Sequence, residues 1–205
     1  MDPVDLALCL AVDVSASVDY DEFGLMIGGL ANAFRDADIA AACAAGPRGA
    51  VAVCLLFWSS AQEVAIPWQR IADAPAAAAF ADAIDASPRL PGPGATALGP
   101  GMLAGLALLG GFPGRATRLV LDVSGDGAHN QGRAPGPVRD LGVAAGITIN
   151  ALAVLNEEPD LLAHYEAEVI GGPGAFTMSC ADYADFADAI RRKLRREVGG
   201  AGMVA

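Results

Sequence analysis

Leu6-Ala7-Leu8-Cys9-Leu10-Ala11-Val12, followed directly by Asp13-Val14-Ser15-Ala16-Ser17, is the stretch on which the reading of this chain turns. The first seven residues are an unbroken apolar run of strand length, the pattern of a strand buried on both faces. The run stops at an acid, and two hydroxyls follow at alternate positions. Beyond them Phe23, Ile27, Leu30 and Phe34 recur at helical spacing. Strand, short polar loop and amphipathic helix together place Asp13, Ser15 and Ser17 at the C-terminal edge of a sheet, where open α/β sheets bind ligands. A carboxylate with neutral hydroxyl oxygens suits a hard cation such as Mg²⁺. Helix capping is the competing local role. Ser17 or Asp19 can serve as N-cap, and Glu22, three residues after Asp19, completes a capping box. Capping uses one such side chain and leaves Asp13 and Ser15 unexplained.

Outward from this stretch, strands and helices alternate. Gly46-Pro47-Arg48-Gly49 ends the first helical region, and residues 50–58 (AVAVCLLFW) read as a second strand. After a Ser59-Ser60 turn, the alternation of Val64, Ile66 and Trp68 predicts a short antiparallel edge strand. Residues 76–86 form an alanine-rich helix, and a Pro/Gly-rich loop covers 88–94. Thr96 then precedes a helix bearing Met102, Leu103, Leu106 and Leu109, and capping is its default role. Gly92 and Gly94 before it permit close approach to a neighbouring loop.

Residues 118–123 read as a buried strand that ends in Ser124-Gly125-Asp126-Gly127-Ala128-His129-Asn130, a second strand delivering an acid at the same edge. A helix at 137–145, a strand at 147–155, a helix at 161–169 and a strand at 175–179 complete the alternation. The closing helix carries Tyr183, Phe186, Ile190, Leu194 and Val198 on one stripe. The expected fold is α/β: one domain over residues 1–205, with a doubly wound, mostly parallel six-stranded sheet and helices on both faces.

Composition narrows the function. The chain has 205 residues and a formal net charge of −11. That balance argues against nucleic acid, which rewards clustered Lys and Arg, and accommodates a cation. The one basic cluster, Arg191-Arg192-Lys193 with Arg195 and Arg196, reads as a solvated helix end offsetting the macrodipole. Cys9, Cys43, Cys54 and Cys180 lack metal-ligand spacing and read as buried free thiols. No apolar run is long enough to cross a bilayer. With no basic n-region before the first strand, the chain as written is expected in the cytoplasm; a trimmed precursor would place it in the periplasm or outside the cell.

The combination of D-x-S-x-S after the first strand, a Thr opening a later helix and Asp-Gly after the fourth strand resembles the von Willebrand factor A (vWA) domain. The resemblance covers nearly the whole chain. Longer strings, VLDVSGDG at 120–127, GITIN at 146–150, VIGGPGAF at 169–176 and AIRRK at 189–193, resemble a bacterial family of A-type domains, DUF1194. Relatives in that family commonly carry export signals. The resemblance implies a metal-ion-dependent adhesion site (MIDAS), with Asp13, Ser15 and Ser17 from its first loop, Thr96 from its second and Asp126 from its third. It also implies a bound Mg²⁺ (or Mn²⁺ or Ca²⁺), and a protein partner that supplies an Asp or Glu carboxylate to the cation.

Two other functions compete. One is a metal-dependent hydrolase or phosphotransferase; phosphotransferases of the aspartate-nucleophile type carry a second acid where Ser15 stands and need a lysine, and the only lysine is Lys193 in the closing helix. P-loop, dinucleotide and serine-hydrolase signatures are missing. A metal-free interaction domain would use anchors such as Tyr20, Trp58 or Trp68.

Overall fold

A computed structural model of the chain describes residues 1–199. The apolar run becomes β1 (Val4–Asp13), which lies inside the sheet between β2 (Val51–Trp58) and β4 (Ala116–Gly125). Outside these lie β3 (Gln62–Ile71) on one side and β5 (Thr148–Val154) and β6 (Thr177–Cys180) on the other. The order is β3-β2-β1-β4-β5-β6, with β3 antiparallel and the rest parallel. The strand expected at the hairpin edge is longer than its short alternation suggests, because a bulge between Val53 and Leu56 lets the pairing continue. The last strand begins two residues later than expected, after the Gly172–Gly174 turn.

Period-two alternation along β1 feeds two cores. Leu6, Leu8, Leu10 and Val12 pack under α1 (Tyr20–Arg35), α2 (Ala37–Ala44), α3 (Ala74–Asp85) and α7 (Phe186–Val198). Ala7, Cys9 and Ala11 face α4 (Leu98–Gly110), α5 (Pro135–Ala144) and α6 (Leu161–Glu168). All four cysteines are free and buried. Among the described residues no helix is long and apolar enough to cross a membrane.

The single helix expected before Gly46 is two. Asp36 breaks it: its backbone is extended, and its carboxylate accepts from the Asp38 and Ile39 N–H groups, opening α2. Asp19 caps α1 in a full capping box with Glu22. Trp58 is fully buried, so it cannot anchor a partner; Trp68 is half-buried, edge-on to Phe112, and Tyr20 is exposed.

Gly99, in the first turn of α4, seats that helix against the loop after β4. A Cβ there would stand 1.8 Å from the Arg133 carbonyl oxygen, so backbone must move. Gly99→Ala is expected to lower stability by about 1–3 kcal/mol, despite the ~1 kcal/mol that Ala gains over Gly in an unobstructed helix. A denaturant midpoint at or above wild type would show that this loop yields freely.

Candidate functional site

Three loops meet at the C-terminal edge of the sheet. The first follows β1. Asp13 is wholly buried, and its Oδ1 accepts from the Ser15 N–H at 2.7 Å. Ser15 Oγ lies 3.1 Å from Ser17 Oγ, and Ser17 Oγ donates to Asp126 Oδ1 at 2.7 Å. One hydrogen-bonded run therefore joins Asp13, Ser15, Ser17 and Asp126, which sequence separates by more than a hundred residues.

The second loop is tied to the first by Ala16 N–H, which donates to the Gly94 carbonyl at 2.8 Å, as the glycines before Thr96 suggest. Thr96 itself is not the cap expected of it. α4 starts two residues later, with Ala97 at the N-cap and no side-chain cap bond. Thr96 is instead held by Asn130, which accepts from the Thr96 N–H at 2.9 Å and donates its own N–H to the Thr96 carbonyl at 3.1 Å. Its hydroxyl accepts a long bond from Asn130 Nδ2 at 3.4 Å and keeps a lone pair for the cluster. A Cβ at Gly127 would lie 3.5 Å from Thr96 Oγ1 and 3.7 Å from Glu158 Oε1, so the hydroxyl stands against the Asp126–Gly127 corner. The Glu158 carboxylate accepts from the Ala128 N–H at 3.1 Å.

The electrostatics are unusual. Burial, reinforced by the charge of Asp126, pushes the Asp13 carboxyl up to about 8, against the opposing pull of the Ser15 hydrogen bonds and Arg89. Burial also raises Asp126, and the Ser17 hydroxyl partly offsets it. Each acid keeps one oxygen, Oδ2, with no hydrogen-bond partner. Beside them sit two buried phenols, Tyr165 and Tyr183, whose hydroxyls are likewise unpartnered. A Cβ at Gly125 would meet Tyr165 Oη at 2.7 Å and Asp13 Oδ2 at 2.9 Å. Arg89 does not neutralise the acids by contact. Its guanidinium donates to the carbonyls of Val14, Ser15 and Val18 and lies over the Tyr20 and Phe23 rings.

The five residues expected from the sequence, Asp13, Ser15, Ser17, Thr96 and Asp126, meet at this edge, but what supports them was not anticipated. Arg89, the lone cation of a Pro/Gly-rich loop, was a visible signal. Tyr183 looked like one more member of an apolar stripe. His129, in the same loop as Asp126, is half-buried with Nδ1 unpartnered. Among the described residues, no three His, Cys, Asp or Glu side chains gather as a metal-ligand group; this cluster consists of two carboxylates and three hydroxyls.

Comparison with solved structures gives the fold type. A von Willebrand factor type A protein from Catenulispora acidiphila superposes with a TM-score of 0.66 at 16% identity, over 96% of this chain and 43% of that one. The pilus adhesin SpaC from Lactobacillus rhamnosus GG gives 0.68 at 15%, over 95% and 30%. Proximal thread matrix protein 1 from the mussel byssus, solved with a zinc-occupied MIDAS motif, gives 0.65 at 14%, over 96% and 48%. The chain thus spans less than half the length of each of these three, and at such identities the likeness shows the vWA fold. No curated protein matches the sequence. The family model described as "Protein of unknown function (DUF1194)" matches residues 3–202, and the chain belongs to that family.

Proposed function

We propose that this domain is a metal-dependent, adhesion-type binding module. Asp13, Ser15, Ser17, Thr96 and Asp126 hold a divalent cation, Mg²⁺ or in its place Mn²⁺ or Ca²⁺, and the cation captures an Asp or Glu carboxylate of a partner protein. The observation that carries this reading is the pair of buried acids, each with a free Oδ2, in a cluster with no cationic side chain in contact with them. Buried carboxylates without a counter-charge are costly. A hard cation supplies that charge, and the donors are all oxygen. Mg²⁺ takes about six oxygens, so five side chains, some acting through water, leave room for an incoming carboxylate. The zinc-occupied MIDAS of the byssus protein and the adhesin named among the similar structures support the same reading.

The phosphotransferase alternative has less support. Position 15 presents a hydroxyl, and Lys193 is buried against Asp122 and Glu197 under α7 rather than standing at the loop edge.

Calorimetric titration of metal-stripped protein with Mg²⁺ and then Mn²⁺ tests the proposal. One binding site is expected, lost in both Asp13→Ala and Ser15→Ala. Asp13→Ala should also melt no lower than the metal-stripped wild type, since it removes a buried acid. A wild type that gives no heat and no metal-dependent melting shift would return the domain to the metal-free class.

A further inference from the structure

A second ionisable cluster lies between α7 and the sheet, and the metal reading makes no use of it. Lys193 is the only lysine in a chain whose other basic side chains are arginines. The solvated helix end expected from the sequence is therefore wrong for this residue: Lys193 is fully buried, with Nζ 2.5 Å from Asp122 Oδ1 and 2.8 Å from Glu197 Oε1. Asp122 projects from β4 and is 1% exposed. Asn150 on β5 donates to Glu197 Oε1 at 2.8 Å and accepts from the Phe176 N–H at 3.1 Å. Two acids and one amine share a space from which water is excluded.

The contact between Lys193 and Asp122 is a short, fully buried ion pair. Neither Asp122 oxygen has a hydrogen-bond partner. The amine is pressed against the carboxyl group. Burial, then the charge of Glu197, raises the Asp122 pKa against the pull of Lys193, which favours the carboxylic acid, the form that amide formation consumes. Burial disfavours the Lys193 charge, while the two neighbouring acids raise the ammonium pKa and hold its proton; the amine is therefore freed only in passing, and Glu197, 2.8 Å away, is the group in contact to take the proton. An arginine at this position would have neither a removable proton nor a usable nucleophile.

We propose that Lys193 and Asp122 condense to an intramolecular isopeptide bond, with Glu197 as the proton carrier. The Lys193 ammonium gives a proton to Glu197, and the neutral amine attacks Asp122 Cγ. A second N–H proton reaches the Asp122 hydroxyl through Glu197, the C–O bond breaks and water leaves. Amine and acid become amide and water, Glu197 ends protonated, and no oxidant or outside reactant is consumed. The product replaces buried charges with neutral groups and ties β4 to α7. It does not depend on the metal site.

Denatured wild-type protein is expected to weigh one water less than its sequence, about 18 Da. Trypsin should release peptide 119–133 joined to 193–195, because a linked Lys193 is not a cleavage site. An amine-reactive label applied to denatured protein should modify the N-terminus and not Lys193. Glu197→Gln should restore both the full mass and the labelling. Full sequence mass in the wild type overturns the proposal. So does a water loss that maps to a succinimide at Asp126-Gly127 while Lys193 still takes label.

Discussion

Between about pH 6 and about pH 7, Mg²⁺ binding to the metal-stripped protein is expected to tighten roughly tenfold, and the gain should level off above about pH 8. The cause is Asp13, whose carboxyl holds its proton to about 8 because it is buried beside Asp126. A cation needs the carboxylate, so binding expels the proton until the solution has already removed it. Calorimetry in two buffers of different ionisation enthalpy reads that proton directly. The same shift governs stability. The folded pKa lies above the unfolded value, so the contribution of Asp13 is complete below about pH 4 and is lost as pH rises through about 8. Over that window the loss is on the order of 5 kcal/mol. The metal-stripped protein should melt higher at about pH 5 than at about pH 8, and saturating Mg²⁺ should flatten the slope. A melting temperature independent of pH without metal would mean that Asp13 is solvated.

Lys193→Met is expected to cost about 3–5 kcal/mol, the usual penalty for stranding buried charge, and more where Lys193 is covalently joined. Asp122 and Glu197 would then face each other in the core without a cation. The deficit should shrink in mild acid, since Asp122 protonates readily and a neutral acid tolerates burial. The triple variant Asp122→Asn, Lys193→Met, Glu197→Gln removes every charge and should recover most of the loss. Urea denaturation at two pH values checks both statements. A Lys193→Met midpoint within error of wild type would show that water reaches the cluster.

What the sequence revealed and what it hid follow one physical division. Strand runs and helical stripes are local periodicities, and they gave the order of elements and the two strand ends that bear Asp13 and Asp126. The D-x-S-x-S stretch was legible because its acid falls where an apolar run ends. Thr96 misled because a hydroxyl before a helix usually caps it; whether α4 starts one or two residues later depends on Asn130, a partner from a different loop. Asp36 hid a break because Arg35-Asp36-Ala37-Asp38 also reads as an exposed helical face. Lys193 and Glu197 are four apart, the spacing of a surface pair, and only the fold brings Asp122 to them from 71 residues upstream.

Arg89 has a bearing on which ion the loops prefer. The carbonyls of Val14, Ser15 and Val18 are already engaged by its guanidinium, so they are less free to join a coordination sphere formed nearby. Ca²⁺ commonly recruits such backbone oxygens to reach about six to eight ligands at longer range, whereas Mg²⁺ is content with about six at short range. On the proposed reading, a side chain that touches no ligand atom of the ion thereby favours a lower coordination number. On the same reading, a preference for a small cation would trace to a guanidinium on a different loop.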